Sequence, residues 1–517
     1  MSDDNETPRD PNADNDNENI IDKSTLFEEK YSTNRSAPKE EIKSKEDAVV
    51  WLDKYYATIV ADARFRIINE RNETNIFLMA KKDFIDSLEN MRILILADDN
   101  KPKVTPITEL WLKGPHRNYE DIIFDPSKEY DRLDENFNTW RGFAIGQGIG
   151  GDVARFLDYV KKIVVNNNEE HYEWLIDWVS HIFQKPWEKP GTSVVLRGIE
   201  GIGKSFFAET IGQLISGRKN NKRNTYYFKT SNPEHVMNHF NDHIANIILL
   251  HLEETFWAGD KKGAHLIKDF ITGDELSIGQ KHMSTHMSRN YMRVIQNGND
   301  NWLVPAGMES RRFAVFDVSD ELRQNTEFYG ELSAWLNQSG LEALMYFFKH
   351  RDITHDVRQV PITAGLIEQR VHSMDSVQAW WLNILISGRI TCLPFDNILP
   401  DGYAKVVKEV LWENYCATIR KTLTRSRSTE TEFANKVRSF VPKLEKGKPV
   451  KGGMGKPESL ITNCKVGNKG EQRSAFIIPS LDVCRKCMDH ILGSKYEWGT
   501  DIMEWSRITD MSDGVYM

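Results

Sequence analysis

Apolar residues take up a structure-forming spacing only from Glu46 onward. Before it, residues 1–45 are rich in Asp, Asn, Glu and Lys. Such a stretch buries too little surface to offset its ordering entropy, which predicts a disordered acidic tail. AVVWLDKYYATIV then predicts a helix, and TNIFLMA a short ordered segment. The acidic cluster ADDN at 97–100 reads as a strand cap or turn. This first region, 46–150, closes in the Trp- and Gly-rich stretch FNTWRGFAIGQGIGG, and the pattern assigns no role to 46–120.

Between 151 and 190, DVARFLDYVKKIV and HYEWLIDWVSHIF have helical apolar periodicity, ended by the break KPWEKPGT. From 191 to 330, SVVLRG, ANIILLHL, YMRVIQN and RRFAVFDV read as strands, with KSFFAETIGQLIS and HLIKDFIT as helices. Strands alternating with helices predict an α/β core built on a parallel sheet covered on both faces. LSAWLNQSGLEALMYFFKHR predicts a helical lid or linker over 331–375. Residues 376–517 form a further α/β region with a basic, Gly-rich loop, EKGKPVKGGMGKP.

The chain of 517 residues suggests roughly two to four domains. Forty per cent hydrophobic and 28% charged residues fit a globular protein. There is no apolar run of about 18 residues, so no membrane span is expected. The N-terminus has no signal-peptide pattern, and five scattered cysteines fit a reducing, cytoplasmic setting. A net charge of −9 gives no support to nucleic-acid binding by the whole surface, so any such surface must be local.

Chemistry enters at Gly198-Ile199-Glu200-Gly201-Ile202-Gly203-Lys204-Ser205, a full GxxxxGK[ST] match between a strand and a helix. Its glycines let backbone N–H groups face phosphates, and the helix N-terminus adds its dipole. Lys204 would neutralise phosphate charge, and Ser205 would ligate Mg²⁺. The apolar run ANIILLHLEET ends in Glu253 and Glu254. An acid at such a strand end holds Mg²⁺, and its neighbour polarises the attacking water; a solvated strand end is the plainer reading. Glu in place of the usual Asp at 253 is one methylene longer, which admits a metal contact through water. Asn297 ends another strand, either orienting water or making an Asn-Gly turn. Arg311 and Arg312 are either surface charges at a strand start or a source of an arginine that completes a neighbouring subunit's site.

The order GIEGIGKS, IILLHLEET, LIKDFITGDELSIGQKH, VIQNGND, SRRFAVFD resembles the superfamily 3 helicases, AAA+ motors of small DNA viruses, poxvirus-type primase-helicases and phages. FNTWRGFAI resembles a sequence upstream of the motor in the phage and plasmid primase-helicase group. The likeness covers about residues 120–330 well. It implies a P-loop AAA+ core after a helical collar at 151–190, and a homohexamer with ATP between subunits. Glu253, Glu254 and Asn297 would act at the γ-phosphate, and Arg311 or Arg312 in trans. It also implies a DNA-tracking hairpin carrying Lys281, with His282 beside it, into the channel. A pore lysine would grip backbone phosphates without reading sequence; His282 and His286 each read, from the residues alone, as solvated loop histidines.

The same resemblance implies a winged-helix-like ending, with LWENYCATIRK and EFANKVRSFVPKL as helices. The loop from Glu445 to Lys456 is its wing or a solvated linker. Members of the group carry a primase before the motor; no strand-borne acid pair with a nearby His is evident here, so a separate primase or polymerase chain is expected. Cys484, Cys487 and His490, with Cys464, are an incomplete zinc set on what reads as an amphipathic helix. The expected function is an ATP-dependent helicase on single-stranded or forked DNA in phage or mobile-element replication. A helicase loader or initiator ATPase, and an ATP-binding regulatory or defence protein, are the alternatives.

Overall fold

The computed structural model describes residue 42 and residues 44–508, apart from 62–63, 72–76, 97–101, 132, 147–149, 219–223, 255–260, 280–284, 309, 392–397, 400, 423–427, 446–447, 452–456, 468–469, 471 and 500–501. Most of the expected acidic tail, the ADDN cluster, and Lys281 and His282 thus lie outside the described residues. The chain divides into two compact units: residues 1–59, 65–71 and 77–118, and residues 60–64, 72–76 and 119–517.

In the first unit, helix Lys45–Asp53 starts at a capping box, in which Ser44 accepts from the Asp47 N–H and Asp47 from the Ser44 N–H. The helix expected to run through 60 stops at Asp53, and Tyr56–Ala61 is a strand. Its β-branched and aromatic residues suit the pleated surface it shares with Arg64–Asn69 and Phe77–Ala80. Trp51, Leu52, Tyr56, Ile67, Phe84 and Trp111 form the core of this unit.

The second unit is built on a five-stranded parallel sheet. Its strands are β1 (Ser193–Arg197), β2 (Tyr227–Thr230), β3 (Leu249–Glu253), β4 (Arg293–Gly298) and β5 (Phe313–Asp317), in the spatial order β2-β3-β4-β1-β5. Helices α1 (Glu169–Gln184), α2 (Lys204–Ser216), α3 (Lys261–Thr272), α4 (Thr326–Trp335), α5 (Leu341–His350) and α6 (Ala364–His372) accompany it. One face carries Val194, Leu196, Ile295 and Phe316 into a core with α1, α2 and α5. The other carries Val195, Leu250, Leu252 and Val315 into a core with Ile267 and Phe270 of α3. Both faces are covered, which is why β3 reads as a near-continuous apolar run and β4 is buried at every residue, its polar ones included.

Residues 119–150, expected with the first region, belong to this second unit. Trp140 stacks on Tyr226 with centroids 4.9 Å apart, the Tyr226 hydroxyl donates to the Thr139 carbonyl at 2.8 Å, and the Ala144 N–H donates to the Ile215 carbonyl at 3.0 Å. Residues 376–517 also join it: Arg370 of α6 donates to Ser310 O at 2.9 Å and to Leu492 O. This last region runs helix Ser376–Ser387, strand Ala404–Val407, helices Lys408–Thr422 and Glu430–Ser439, then strands Thr462–Val466 and Arg473–Ile478. The three strands form one antiparallel sheet with Arg473–Ile478 in the middle. The basic loop read as a wing precedes these last two strands, and its described part pairs Leu444–Glu445 with Lys448–Pro449. The two strands pair with each other, Val466 opposite Arg473, so residues 467–472 and not that loop join them. Cys484 and Cys487 are buried on helix Leu481–Leu492, their thiols directed at the carbonyls of Pro479 and Pro442, and burial pushes both thiols up, Cys487 to about 11.

Between α3 and β4 an antiparallel hairpin pairs Glu275–Ile278 with His286–Arg289. Its return strand is anchored at Asn290, whose amide donates to the carbonyls of Phe270 (3.1 Å) and Gly273 (2.9 Å) at the end of α3. Three residues on, Arg293 is fully buried at the start of β4. Its guanidinium donates to the carbonyls of Pro186 (2.6 Å), Tyr291 (2.7 Å), Lys185 (2.8 Å) and Glu188. Burial pulls its pKa down to about 9. Hairpin, β4 and the segment after α1 are thereby tied at one point. Arg293→Met should strand these carbonyls and cost about 3 kcal/mol. The expected readout is a lower denaturant midpoint for the second unit; an unchanged midpoint would show that the anchor is dispensable.

Candidate functional site

The site lies at the C-terminal edge of the parallel sheet. β1 is buried along its length and delivers the chain to Gly198; α2 begins six residues later at Lys204. Between them the loop is held from behind by named donors. Gln324 N–H donates to Gly201 O (2.9 Å), the Tyr329 hydroxyl to Ile202 O (2.9 Å) and the Tyr159 hydroxyl to Gly203 O (2.8 Å). In a trans peptide the N–H points opposite to the C=O. Carbonyls held by the scaffold therefore give the other side of the loop the polarity an anion needs. Gly203 has φ 100°, and a Cβ there would lie 2.3 Å from the Tyr329 hydroxyl. Lys204 is almost fully buried, and its ammonium donates to Gly198 O and to Ile199 O (2.7 Å). Burial lowers its pKa.

The acids arrive on β3 and the amide on β4. In register Glu253 lies beside Asn297, and Asn297 beside Leu196 of β1, so β4 separates the acid strand from the loop strand. Ser205 donates its hydroxyl proton to Glu253 Oε1. Lys229 of β2 pairs with Glu253 Oε2 and with Glu209 at 2.8 Å. Burial would raise the Glu253 pKa, but the hydrogen bonds from Lys229 and Ser205 and the Lys229 charge bring it below the usual carboxylate value. A hydroxyl and a carboxylate in contact are hard oxygen donors of the kind Mg²⁺ takes. Glu254 has φ 49°, a left-handed conformation uncommon outside glycine, and its N–H donates to Asn297 O at 2.9 Å. Glu200, Lys204, Ser205, Glu253, Glu254 and Asn297 line one cavity of about 360 Å³.

The loop, both glutamates and Asn297 are thus brought together, while Ile199 is exposed at the rim. Arg311 and Arg312 are not brought there. They precede β5 at the N-terminal edge of the sheet, where the Arg312 carbonyl accepts from Ser193 N–H at 2.7 Å. Four strand steps, about 13 Å, separate the two edges along β5. Arg311 is exposed and Arg312 half-buried. The expected hairpin is present as the pair Glu275–Ile278 and His286–Arg289, with His286 exposed. Lys281 and His282, which follow its first strand in sequence, fall outside the described residues.

Several residues of the site had no motif to announce them. Lys229 sits on an edge strand, opposite His251. His251 is fully buried in β3, and burial, with Lys229 acting in the same direction, takes it down to about 4. A signal for it existed: it lies two residues before Glu253, on the same strand face. Tyr159 and Tyr329, which hold the loop, are far from it in sequence and carry no pattern.

Residues 196–312, which span most of this site, match a family described as "Family of unknown function (DUF5906)". The chain is 24% identical over 191 residues to the DNA Primase-polymerase of Nitratiruptor phage NrS-1, a match covering 35% of this chain and 25% of that protein. The apo structure of the NrS-1 C terminal region (305-718) superposes with a TM-score of 0.53 at 15% identity, over 85% of this chain and 100% of that one. Its A form gives a TM-score of 0.54 over 83% of this chain and 98% of that one. The chain therefore has a mixed α/β fold like that of the NrS-1 C-terminal region, and it spans a quarter of the length of the curated relative it matches. No helix among the described residues is long and apolar enough to cross a membrane.

Gly203→Ala should strain the loop. The left-handed backbone alone costs about 1–2 kcal/mol for a residue with a Cβ, and the contact with Tyr329 adds to it. Thermal unfolding should fall by a few degrees, on the order of what 1–2 kcal/mol moves a domain of this size. A variant as stable as the parent would show that the loop re-forms without its left-handed turn.

Proposed function

We propose that this chain is an ATP-dependent DNA helicase of the superfamily 3, AAA+ kind, acting as a homohexameric ring on single-stranded or forked DNA during phage or mobile-element replication. The observation that carries the reading is a site split between sheet edges. Lys204, Ser205, Glu253, Glu254 and Asn297 share one cavity, whereas the two arginines sit at the opposite edge. An arginine there cannot serve its own chain's nucleotide but can serve a neighbour's. The name of the NrS-1 relative and the likeness to its C-terminal region support a place in phage DNA replication. Helix Ser376–Ser387, strand Ala404–Val407, the two helices after it and the paired strands Thr462–Val466 and Arg473–Ile478 follow the order of a winged helix and support such an ending.

In this reading the loop N–H groups and Lys204 take the β- and γ-phosphates of ATP. Mg²⁺, held by the Ser205 hydroxyl and the Glu253 carboxylate, would neutralise phosphate charge. Glu254 accepts a proton from water as the water oxygen bonds to the γ-phosphorus. The bond to the β–γ bridging oxygen breaks, and ADP leaves with that oxygen. Asn297 orients the water, and Arg311 or Arg312 of the next subunit stabilises charge on the transferred group. Lys281 and His282, which lie in sequence between the two strands of the hairpin, would carry the stroke to the DNA backbone, and a separate primase or polymerase would supply synthesis.

Lys204→Ala should lose ATP turnover by at least about a hundredfold, and Glu254→Gln should retain nucleotide binding while stalling. The functional test is displacement of a strand from a forked duplex: wild type should displace it only with ATP. ATPase activity without displacement would turn the reading toward a loader. Subunit mixing tests the split site. Lys204→Ala and an Arg311→Ala/Arg312→Ala double variant should each be inactive alone. Co-assembled in equal amounts they should recover about a quarter of wild-type turnover, the share of interfaces that unite the intact halves. No recovery on mixing would remove the trans arginine.

A further inference from the structure

Behind Asn297 lies a chain of polar side chains, His251 and Tyr227, to which no motif gave a role. Asn297 is 1% exposed, and its Nδ2 lies 2.8 Å from His251 Nε2 and 3.4 Å from Ser205 Oγ. His251 Nδ1 in turn lies 2.9 Å from the Tyr227 hydroxyl. Tyr227 is itself set by close packing. Its ring lies against Gly212 of α2, where a Cβ would come within 2.5 Å of it, and its N–H donates to Ser216 Oγ at 2.9 Å.

The polarity of this chain can be worked out from proton counts. A serine hydroxyl has one proton, and Ser205 gives it to the Glu253 carboxylate. Toward Asn297, Ser205 Oγ can only accept, so the amide must face it with nitrogen. The same nitrogen has a second proton, which goes to His251 Nε2. That imidazole nitrogen accepts, so the ring proton is on Nδ1 and is donated to the Tyr227 oxygen. Both amide protons are then committed on one side. The amide oxygen faces the other way, and among the described residues Asn297 Oδ1 is buried with no hydrogen-bond partner. An unpaired buried carbonyl is costly, and Asn297 lines the nucleotide cavity.

We propose that His251 and Tyr227 are positioning residues that lock the Asn297 amide, so that Oδ1 is offered as an acceptor to a proton of the attacking water. The proposal rests on the hydrolytic reading above and deepens it. Without an acceptor at His251 only the 3.4 Å contact with Ser205 Oγ holds the amide nitrogen, and a half-turn of the amide would offer N–H groups to the water, the wrong polarity for a group that accepts a hydrogen bond from it. Without the Tyr227 oxygen the imidazole proton is free to move to Nε2, where it opposes the amide nitrogen.

The test separates turnover from binding on the full-length chain. His251→Leu should lower kcat for ATP roughly a hundredfold and Tyr227→Phe roughly tenfold. His251→Gln, whose amide oxygen can accept from Asn297, should stay within about threefold of wild type. KM for ATP and the Kd for Mg-ADP should move by less than about twofold in all three, since the pair acts on the water and not on the phosphates. Wild-type kcat in both His251→Leu and Tyr227→Phe would overturn the proposal. So would a loss in which Kd and kcat worsen together and Gln is no better than Leu, which is what mere packing predicts. Should His251→Leu not fold, Tyr227→Phe alone still decides, because it removes one oxygen and keeps the ring. A wild-type chain that binds no ATP would remove the parent reading as well; wild-type turnover with undisturbed variants would remove the relay alone.

Discussion

Everything at this site depends on β4 lying between the loop strand and the acid strand. In a parallel sheet all C-terminal ends share one edge, so any residue ending β1, β3 or β4 is delivered to the same place. With β4 in the middle, Asn297 is set one strand spacing from Glu253 on one side and from the β1 end on the other. The strand is buried at every residue, so a slip in register would move Val294 and Ile295 to the wrong faces and strip the buried Arg293, Gln296 and Asn297 of their partners. It is pinned at its start by Arg293 and reaches the hairpin through Asn290. One short strand thus joins the chemistry at one edge to the hairpin at the other.

Burial also explains the electrostatics. Lys204, Glu253 and Asn297 are polar groups held in a largely apolar sheet edge, and each has partners fixed by neighbouring elements. Glu253 is shared between Ser205 and Lys229, so its charge is compensated within the chain. The loop carbonyls are held by Tyr159, Tyr329 and Gln324. These groups come from α4, the segment before it and the helical stretch before α1, which makes the helical shell part of the site and not only its cover.

Much of this was legible beforehand. The phosphate loop, the two glutamates and Asn297 were readable because each closes an apolar run, and the end of a buried strand is where polar residues become functional. The helix over KSFFAETIGQLIS emerges with those bounds. AVVWLDKYYATIV misled because aromatic and β-branched residues satisfy a helical period by chance while preferring a strand, and only pairing of Tyr56–Ala61 with Arg64–Asn69 decides between them. The boundary at 150 misled for a related reason: composition changes there, but Trp140 and Thr139 already pack on Tyr226.

The sequence by itself determined which residues end the strands, because apolar periodicity and the glycine spacing are local properties. Tertiary structure alone decided who stands beside whom. It put Lys229 against Glu253, Tyr329 against Gly203 and His251 against Asn297, contacts that cross from 24 to 126 residues of chain. It also placed Arg311 and Arg312 at the far edge from the phosphate loop. No local pattern carries that information, because strand order in a sheet is set by the packing of both faces and not by the strands' own sequences.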